Sequence, residues 1–365
     1  MGAMRLHRIG VDDALARATA FDAVIDARSP AEHALDHLPG ALNWPVLDDE
    51  ERRLVGTEYT QLSAFEARKR GAVLAARNIA RHLEREGPAL APGWKPLVYC
   101  WRGGQRSGSL ALVLAQVGFE VHVLEGGYRA FRRRVLADLE DAGAGLAFQV
   151  LCGRTGTGKS RLLAALASRG EQVLDLEALA EHRGSVLGAM PDRPQPSQKA
   201  FETRLWQALR ALEPGRAVFV ESESRTIGRL RLPEALLQRM RAAPCLRLEM
   251  EVPARVALLR EDYAHFVADT PALAARLDTL REARGHAVVE GWQALAGAGR
   301  IDELVASLLE AHYDPVYLRS MARNYARFGQ AGEVRLPDGT SGALARAAAA
   351  VVELSCIKSD APAAA

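Results

Sequence analysis

A glycine-rich loop of eight residues places the strongest constraint on how this 365-residue chain can fold. The segment Gly153-Arg154-Thr155-Gly156-Thr157-Gly158-Lys159-Ser160 fits the pattern G-x-x-x-x-G-K-[ST] at every position. It follows the strand-like run 147–151 and precedes a helical pattern, which is the context that this phosphate-binding loop requires. Its amides and helix N-terminus can cradle a diphosphate, while Lys159 offers a point charge and Ser160 can ligate Mg²⁺. The predicted phosphate-binding residues are Gly153, Thr155, Gly156, Thr157, Gly158, Lys159 and Ser160.

The strand expected to lie beside this loop ends in a glutamate. The run 217–220 is followed by Glu221, where aspartate is usual in phosphate-binding domains of this kind, and then by Glu223. Either carboxylate could reach a metal ion through water, or could pair with Arg225. The sequence therefore predicts a binding site for phosphates with a possible Mg²⁺ ion, and it does not predict ATP hydrolysis.

A second loop between a strand and a helix carries a cysteine. Cys100 ends the strand-like run 97–99 and opens the sequence Cys100-Trp-Arg-Gly-Gly-Gln-Arg-Ser107. A helix N-terminus, successive backbone amides and the charges of Arg102 and Arg106 all favour a thiolate or an attached anion at this position. We therefore expect Cys100, Arg102 and Arg106 to be catalytic. A buried cysteine at a strand end is the alternative, and the flanking glycines and arginines disfavour it.

Strands alternate with helices on both sides of a glycine-rich linker. The alternation predicts parallel α/β sheets. We predict one domain over residues 1–140, a linker over 141–146, the core of a phosphate-binding domain over 147–252, and a helical C-terminal extension with a frayed tail over 253–365.

Composition and charge narrow the functional classes. The 47 basic and 45 acidic residues give a net charge of +2, so a uniformly basic nucleic-acid binder is excluded and positive charge must act in local patches. Arginine dominates, with 42 residues against five lysines, which fits a GC-rich coding sequence as well as phosphate recognition. Four dispersed cysteines, no apolar run of about 18–20 residues and no signal-peptide pattern predict a cytoplasmic protein without a membrane segment.

The first domain resembles the rhodanese family over residues 15–138. The resemblance rests on four motifs in order, which are Asp26–Glu32, His37–Asn43, the Cys100 loop and Leu124–Tyr128. It implies that Cys100 carries sulfur or selenium as a persulfide or perselenide. It also implies that Asp26, Arg28, His37 and Asn43 are scaffold residues.

The order of the two domains resembles the tRNA 2-selenouridine synthase family. The resemblance rests on the loop CWRGGQRS and on four further segments: 175–185, 196–202, 220–225 and 312–315. It implies that the substrate is wobble 2-thiouridine in tRNA, that selenophosphate donates selenium, and that a geranyl group from geranyl diphosphate is first attached to the sulfur. On this reading the phosphate-binding loop holds the diphosphate of the prenyl donor, Cys100 carries selenium, and no tightly bound cofactor is needed.

The tRNA-binding surface is predicted from arginine clusters. The candidates are Arg132, Arg133, Arg134, Arg225 and Arg229, and the alternative for each cluster is a solvated or ion-paired helix face. The segment 262–266 could line an apolar pocket for the prenyl chain. Two other functions remain open at this point. One is a sulfurtransferase fused to an ATP-dependent small-molecule kinase, and the other is a nucleotide-gated tRNA-binding scaffold with an idle cysteine.

Overall fold

The structure, a computed structural model, describes residues 5–185, 187–190, 193–264 and 269–359, with side chains described as far as residue 355. The chain divides into two compact units. The first comprises Met1–Glu140 and Pro196–Gln207, and the second comprises Asp141–Gln195 and Ala208–Ala365. Within the described residues, none of the helices has the length and apolarity that a bilayer crossing requires.

The first unit is built on a parallel five-stranded sheet in the order β1-β5-β4-β2-β3. Its strands are β1 Leu6–Ile9, β2 Ala23–Asp26, β3 Leu42–Asn43, β4 Pro96–Tyr99 and β5 Val121–Leu124. The two central strands β4 and β5 are buried along their whole length because helices cover both faces of a sheet of this kind. The helices are α1 Val11–Ala16, α2 Pro30–Leu35, α3 Asp49–Gln61, α4 Ala64–Glu86, α5 Gln105–Val117 and α6 Gly127–Glu140.

The second unit contains another parallel five-stranded sheet, in the order β12-β11-β6-β8-β7. Its strands are β6 Ala147–Gly153, β7 Gln172–Leu174, β8 Ala217–Glu221, β11 Cys245–Glu249 and β12 Gly332–Arg335. A separate antiparallel pair is formed by β9 Thr226–Ile227 and β10 Leu230–Arg231. The helices that follow β6 along the chain are α7 Lys159–Ala167, α8 Leu176–Ala180, α9 Gln198–Arg210, α10 Glu234–Ala242 and α11 Val252–Asp262, and of these α9 belongs to the first unit as far as Gln207.

The C-terminal part of the second unit is mainly helical, as predicted. It contains the helices Thr270–Asp278, Arg281–Arg284, His286–Gly297, Ile301–Leu308, Asp314–Asn324 and Ser341–Ser359, with a π-helical turn at Leu309–Tyr313. The prediction omitted β12, which adds a fifth strand to the sheet beside β11. Four residues with one buried side chain, Val334, carry too short a pattern to indicate a strand.

The segment Pro196–Gln207 packs with the first unit, although the prediction placed it in the core of the second domain. Thr203 Oγ1 donates to Asp36 Oδ2 at 3.0 Å, and the Trp206 indole donates to Asp138 at 2.7 Å. Arg132 forms an ion pair with Glu202. The sequence does not indicate that this segment packs with the first unit. Residues 196–207 have the pattern of an ordinary amphipathic helix and lie between strands of the second domain.

Candidate active sites in the two units

Cys100 lies directly after β4, in a loop that ends where α5 begins at Gln105. The residue is 3% exposed, and the Ser107 hydroxyl donates a hydrogen bond to its sulfur at 3.1 Å. Ser107 lies in the first turn of α5, so a helix N-terminus and a hydroxyl both stabilise negative charge on the sulfur. This arrangement suits a sulfur that carries an anionic chalcogen.

The backbone of the cysteine loop is held by the glycine pair that follows β5. The Tyr128 amide donates to the Cys100 carbonyl at 2.8 Å, and the Arg129 amide donates to the Trp101 carbonyl at 3.1 Å. Gly127 has φ +55°, and a Cβ atom there would lie 2.2 Å from the Cys100 carbonyl oxygen. A side chain at Gly127 would therefore displace the loop that carries Cys100.

The two arginines predicted to be catalytic differ in their surroundings. Arg102 is exposed, whereas Arg106 binds Glu32 through two hydrogen bonds of 2.5 and 3.2 Å. Burial favours the neutral form of Glu32, but the hydrogen bonds and charge of Arg106 outweigh this and lower its pKa. The positive charge of Arg106 is thus compensated by Glu32 in this conformation, and the ion pair joins the start of α5 to α2.

A buried polar network lies beneath this loop. Arg28 is 1% exposed, makes a two-pronged ion pair with Asp26, and donates to the Asp36 carbonyl at 2.7 Å. Tyr128 lies against the Arg28 guanidinium and donates its hydroxyl to Asp36 Oδ2 at 2.8 Å. Asn43 donates to the carbonyls of Asp26 and Arg28. These contacts agree with the scaffold role that the resemblance implied for Asp26, Arg28 and Asn43.

In the second unit, the phosphate-binding loop joins the end of β6 to the start of α7. Gly156 and Gly158 have φ angles of +81° and +79°, which residues with a side chain rarely adopt. Lys159 Nζ donates to the Gly153 carbonyl at 2.7 Å, across the mouth of the loop, and Thr157 Oγ1 donates to the Arg154 carbonyl at 2.8 Å. The loop therefore has the curvature that directs its amides toward a bound phosphate.

Four carboxyl groups lie beside this loop: Asp175, Glu177, Glu221 and Glu223. Ser160 Oγ donates to Glu177 at 2.8 Å, and the Glu177 amide donates to Glu221 Oε1 at 2.9 Å. Glu221, at the end of β8, is 0% exposed and its second oxygen has no hydrogen-bond partner. Burial, and then the charges of the other three carboxyl groups, raise the pKa of Glu221 well above its usual range.

The pKa values of the other three carboxyl groups in this cluster are also raised. Burial, followed by the charge of Glu177, raises the pKa of Glu223 to about 8. Burial also raises the pKa values of Glu177 and Asp175. A raised pKa reduces the negative charge that these carboxyl groups place beside the loop, which favours the binding of an anion there. Their oxygens, together with the Ser160 hydroxyl, are also the ligand type that Mg²⁺ prefers, so the residues fit such an ion.

A buried ion pair supports the phosphate-binding loop from behind. Arg255, on α11, is 0% exposed and donates to both oxygens of Asp314 at 2.8 and 2.6 Å. Its Nε atom donates to the Thr155 carbonyl at 2.8 Å. Asp314 also lies 3.5 Å from Arg154, whose other partner is Glu249 at 2.7 Å. Arg154 is thus engaged by two acids in the structure.

The phosphate-binding loop opens into a cavity of about 590 Å³. Lys159, Ser160, Glu177, Glu223, Arg183 and Tyr317 contribute to its lining. A second, apolar cavity of about 70 Å³ shares Thr155, Ser185, Leu259, Tyr263 and Tyr313 with the first. The remaining lining of the second cavity is Leu187, Arg260, Leu273, Ile301, Leu304, Val305, Leu308 and Leu309.

Two residues of the segment 262–266, proposed from the sequence as lining for a prenyl chain, line these cavities. Tyr263 lines both cavities and Asp262 lines the larger one. His265 and Phe266, which the prediction also named, lie outside the described residues. The leucines contributed by 273–309 were missed because they read as an ordinary amphipathic helical pattern.

The arginines predicted to contact tRNA are mostly engaged in other interactions. Arg134 pairs with Asp12 and Asp138, Arg225 pairs with Glu234, and Arg229 donates to the Gln195 carbonyl. The side chain of Arg132 is 12% exposed in its ion pair with Glu202, so the structure assigns it to packing and disagrees with its prediction as a surface contact. Arg133 is exposed.

Several residues at these sites were not predicted. Ser107, Glu177, Arg255, Asp314 and Tyr317 contact the cysteine or the phosphate-binding loop, and Asp175 belongs to the carboxyl cluster beside that loop. Asp175, Glu177 and Asp314 lie in segments that carried the family resemblance. Those motifs marked the residues as characteristic of the family but did not indicate what the side chains do. Arg255 gave none, because one arginine among 42 on a helix is not distinguishable by pattern.

The fold and the two loops define a rhodanese-like unit joined to a P-loop α/β unit. Residues 11–134 match the family model described as a rhodanese-like domain, and residues 146–277 match the one described as a tRNA 2-selenouridine synthase AAA domain. The chain belongs to the tRNA 2-selenouridine synthase family.

Curated relatives bearing that family name cover most of the chain. The protein of Nitrosomonas europaea is 36% identical over 71% of this chain and 68% of its own length. That of Alcanivorax borkumensis is 32% identical over 82% of this chain and 90% of its own, and that of Sulfurovum sp. is 31% identical over 85% and 93%. Each relative is named tRNA 2-selenouridine synthase.

Proposed function

We propose that this protein is a tRNA-modifying selenotransferase that converts wobble 2-thiouridine to 2-selenouridine, with selenophosphate as the selenium donor. The family membership supports the tRNA substrate and the selenation. The finer proposal is that the conversion proceeds through S-geranylation from geranyl diphosphate. The observation that carries this step is the apolar cavity that adjoins the P-loop cavity and shares five lining residues with it.

A prenyl diphosphate matches the chemistry of these two adjoining cavities. The P-loop amides and Lys159 would bind the diphosphate, and the leucine-lined cavity would receive the hydrocarbon chain. The apolar cavity, at about 70 Å³, has the volume of about two water molecules. A ten-carbon chain therefore needs the lining helices to separate, or needs to extend part of its length into the larger cavity.

The P-loop would act on the leaving group in the geranylation step. The C1–O bond of geranyl diphosphate breaks while the sulfur of 2-thiouridine forms a bond to C1, and the N3 proton of the base leaves. The charge that develops on the departing diphosphate is stabilised by the loop amides and by Lys159. Mg²⁺, held by Ser160 and the carboxylates of Glu177 and Glu223, would add positive charge at the same oxygens when bound.

Cys100 would act in the second step. Geranylation converts the thiocarbonyl sulfur into part of a thioether. When selenium attacks carbon 2, the C–Se bond would form as the C–S bond breaks and geranyl thiol leaves. Because selenophosphate holds selenium at the selenide level, its passage through a Cys100 perselenide would take an external two-electron oxidant on loading and a thiol reductant that cleaves the S–Se bond on release. The Ser107 hydroxyl and the N-terminus of α5 would stabilise the anionic selenium carried on Cys100. Arg102, which is exposed at the same loop, is the proposed contact for the incoming selenophosphate or for tRNA. Arg133 and Arg225 remain proposed tRNA contacts.

Two variants test this division of roles. Cys100→Ser should abolish formation of 2-selenouridine and leave S-geranyl-2-thiouridine to accumulate, whereas Lys159→Ala should reduce geranylation itself. The readout is nucleoside analysis of 2-thiouridine tRNA after incubation with selenophosphate and geranyl diphosphate. Equal loss of both products in Cys100→Ser, with the fold intact by circular dichroism, would contradict the assignment.

The apolar cavity has its own test. Leu273→Trp fills it from the helix Thr270–Asp278 and should raise the KM for geranyl diphosphate, with a smaller effect on inorganic diphosphate as a competitive inhibitor. Val288→Trp, at an exposed position on the helix His286–Gly297, is the matched control. An unchanged KM in Leu273→Trp would remove the cavity from the proposal.

A further inference from the structure

A cluster of potential metal ligands lies in the first unit, apart from the cysteine loop. One ring nitrogen from each of His7 and His122 and a carboxylate oxygen of Glu120 lie within 4.8 Å of one another. His122 is in register with Leu97 of β4, three residues before Cys100, which corresponds to about 10 Å along the strand. The cluster is therefore near the amino ends of the strands, while Cys100 lies beyond their carboxyl ends.

The sheet itself brings these three residues together. His7 on β1 pairs in register with His122 on β5, so the two side chains stand next to each other on one face. Glu120 precedes His122 by two residues, and its side chain points to the same face when the chain is extended. The imidazole rings stack with centroids 5.0 Å apart, and Phe21 contacts the His122 ring edge-on at 5.2 Å.

The His122 imidazole has an unused ligand atom. The residue is 6% exposed, and its Nδ1 atom has no hydrogen-bond partner. A buried polar atom without a partner is rare in folded proteins and points to a bound water or ion.

Two cations face the cluster and must be accommodated. Lys95 Nζ lies 3.7 Å from Glu120 Oε2, and Arg17 acts on His122 through its charge. The side chain of Lys95 is 48% exposed and its ion pair is long, so a divalent cation can displace it into solvent. The cluster is thus accessible from the edge of the sheet, where the exposed His7 lies.

We propose that His7, Glu120 and His122 bind a divalent transition metal ion of the zinc class, which links the edge strand β1 to β5. Two imidazoles and one carboxylate form a donor set that suits Zn²⁺, Co²⁺ or Ni²⁺ better than Mg²⁺ or Ca²⁺, which prefer oxygen ligands alone. Water completes the coordination. The ion stabilises the rhodanese-like unit, since binding to the native state alone shifts folding toward that state.

The test uses tag-free, full-length protein in the Cys100→Ser background, so that the thiol cannot bind the metal, with excess Mg²⁺ to occupy the carboxylates beside the P-loop. Titration with Co²⁺ should give one bound ion per chain, with visible d–d absorption and no thiolate charge-transfer band. Added Zn²⁺ should raise the melting temperature. X-ray absorption of the zinc form should show two imidazole ligands.

Variants assign the signal to these residues. His7→Gln changes an exposed edge residue and should weaken Co²⁺ binding at least tenfold, and Glu120→Gln should weaken it less. His286→Gln, at an exposed histidine of the second unit, is the matched control and should bind as the parent does. The proposal is overturned if the parent protein binds no Co²⁺, or if His7→Gln binds it with unchanged affinity.

Discussion

Replacement of Asp314 with asparagine tests the ion pair that supports the P-loop. Arg255 is 0% exposed, and both of its terminal nitrogens donate to Asp314 while Nε donates to the Thr155 carbonyl. Asp314→Asn keeps the shape of the side chain but leaves the Arg255 charge buried without a counter-charge. Breaking one partner of a buried pair costs about 3–5 kcal/mol, far more than the pair contributes relative to an apolar replacement.

The exposed pair between Arg260 and Asp302 supplies the matched control. Its side chains are 50% and 61% exposed, and Asp302→Asn should therefore cost less than about 1 kcal/mol. At about 2–4 °C per kcal/mol for a unit of this size, Asp314→Asn should lower the melting temperature of the second unit by about 6–20 °C.

Differential scanning calorimetry of the full-length chain measures both variants. Titration with inorganic diphosphate then shows whether the P-loop has lost its shape: Asp314→Asn should bind it at least tenfold more weakly, because Arg255, which donates to the Thr155 carbonyl, loses the carboxylate that holds its side chain in place. Equal melting temperatures for the two variants, or unchanged diphosphate affinity in Asp314→Asn, would refute this account of the loop.

Three further variants test other contacts. The pKa of Glu223 is raised to about 8, so ionisation of this carboxyl group destabilises the fold as the pH rises from the ordinary pKa of glutamate through 8. Glu223→Gln should therefore gain stability relative to the parent between pH 5 and pH 8, by up to about 3 kcal/mol in urea unfolding. A stability difference that stays constant over this pH range would argue against the pKa shift. Gly127→Ala should abolish selenation because its Cβ meets the Cys100 carbonyl, while Gly93→Ala, also at positive φ but in open space, should cost about 1–3 kcal/mol and retain activity. Thr203→Val should destabilise the first unit by about 1 kcal/mol through loss of its bond to Asp36, and no change in the melting temperature would count against that packing.

Local patterns predicted the elements that carry the two loops. The strand-like runs 147–151 and 217–220 lie within β6 and β8, because most of their side chains are apolar and the sheet buries them. Both loops lie between a strand and a helix as expected. Sequence pattern suffices there, since the chemistry and the backbone geometry are specified by neighbouring residues.

Long-range pairing accounts for what was missed. The edge strands β1 and β12 are short and mostly exposed, so they lack the apolar pattern of a strand. Arg255 and Asp314 lie 59 positions apart, and Ser107 contributes to the cysteine site through a hydroxyl that many helix starts carry. Arg132 and Trp206 find their partners because the helix that carries Trp206 packs with the first unit. The position of this helix in the sequence, among the elements of the second unit, does not indicate that packing.

The most direct test of the central claim is nucleoside analysis of tRNA bearing wobble 2-thiouridine. The tRNA is incubated with the protein and selenophosphate, with geranyl diphosphate, with ATP, or with neither. We expect 2-selenouridine to form when geranyl diphosphate is present, ATP not to replace it, and Cys100→Ser to stop at the geranylated nucleoside. Formation of 2-selenouridine without any prenyl donor, or ATP turnover with an unchanged nucleoside, would contradict it.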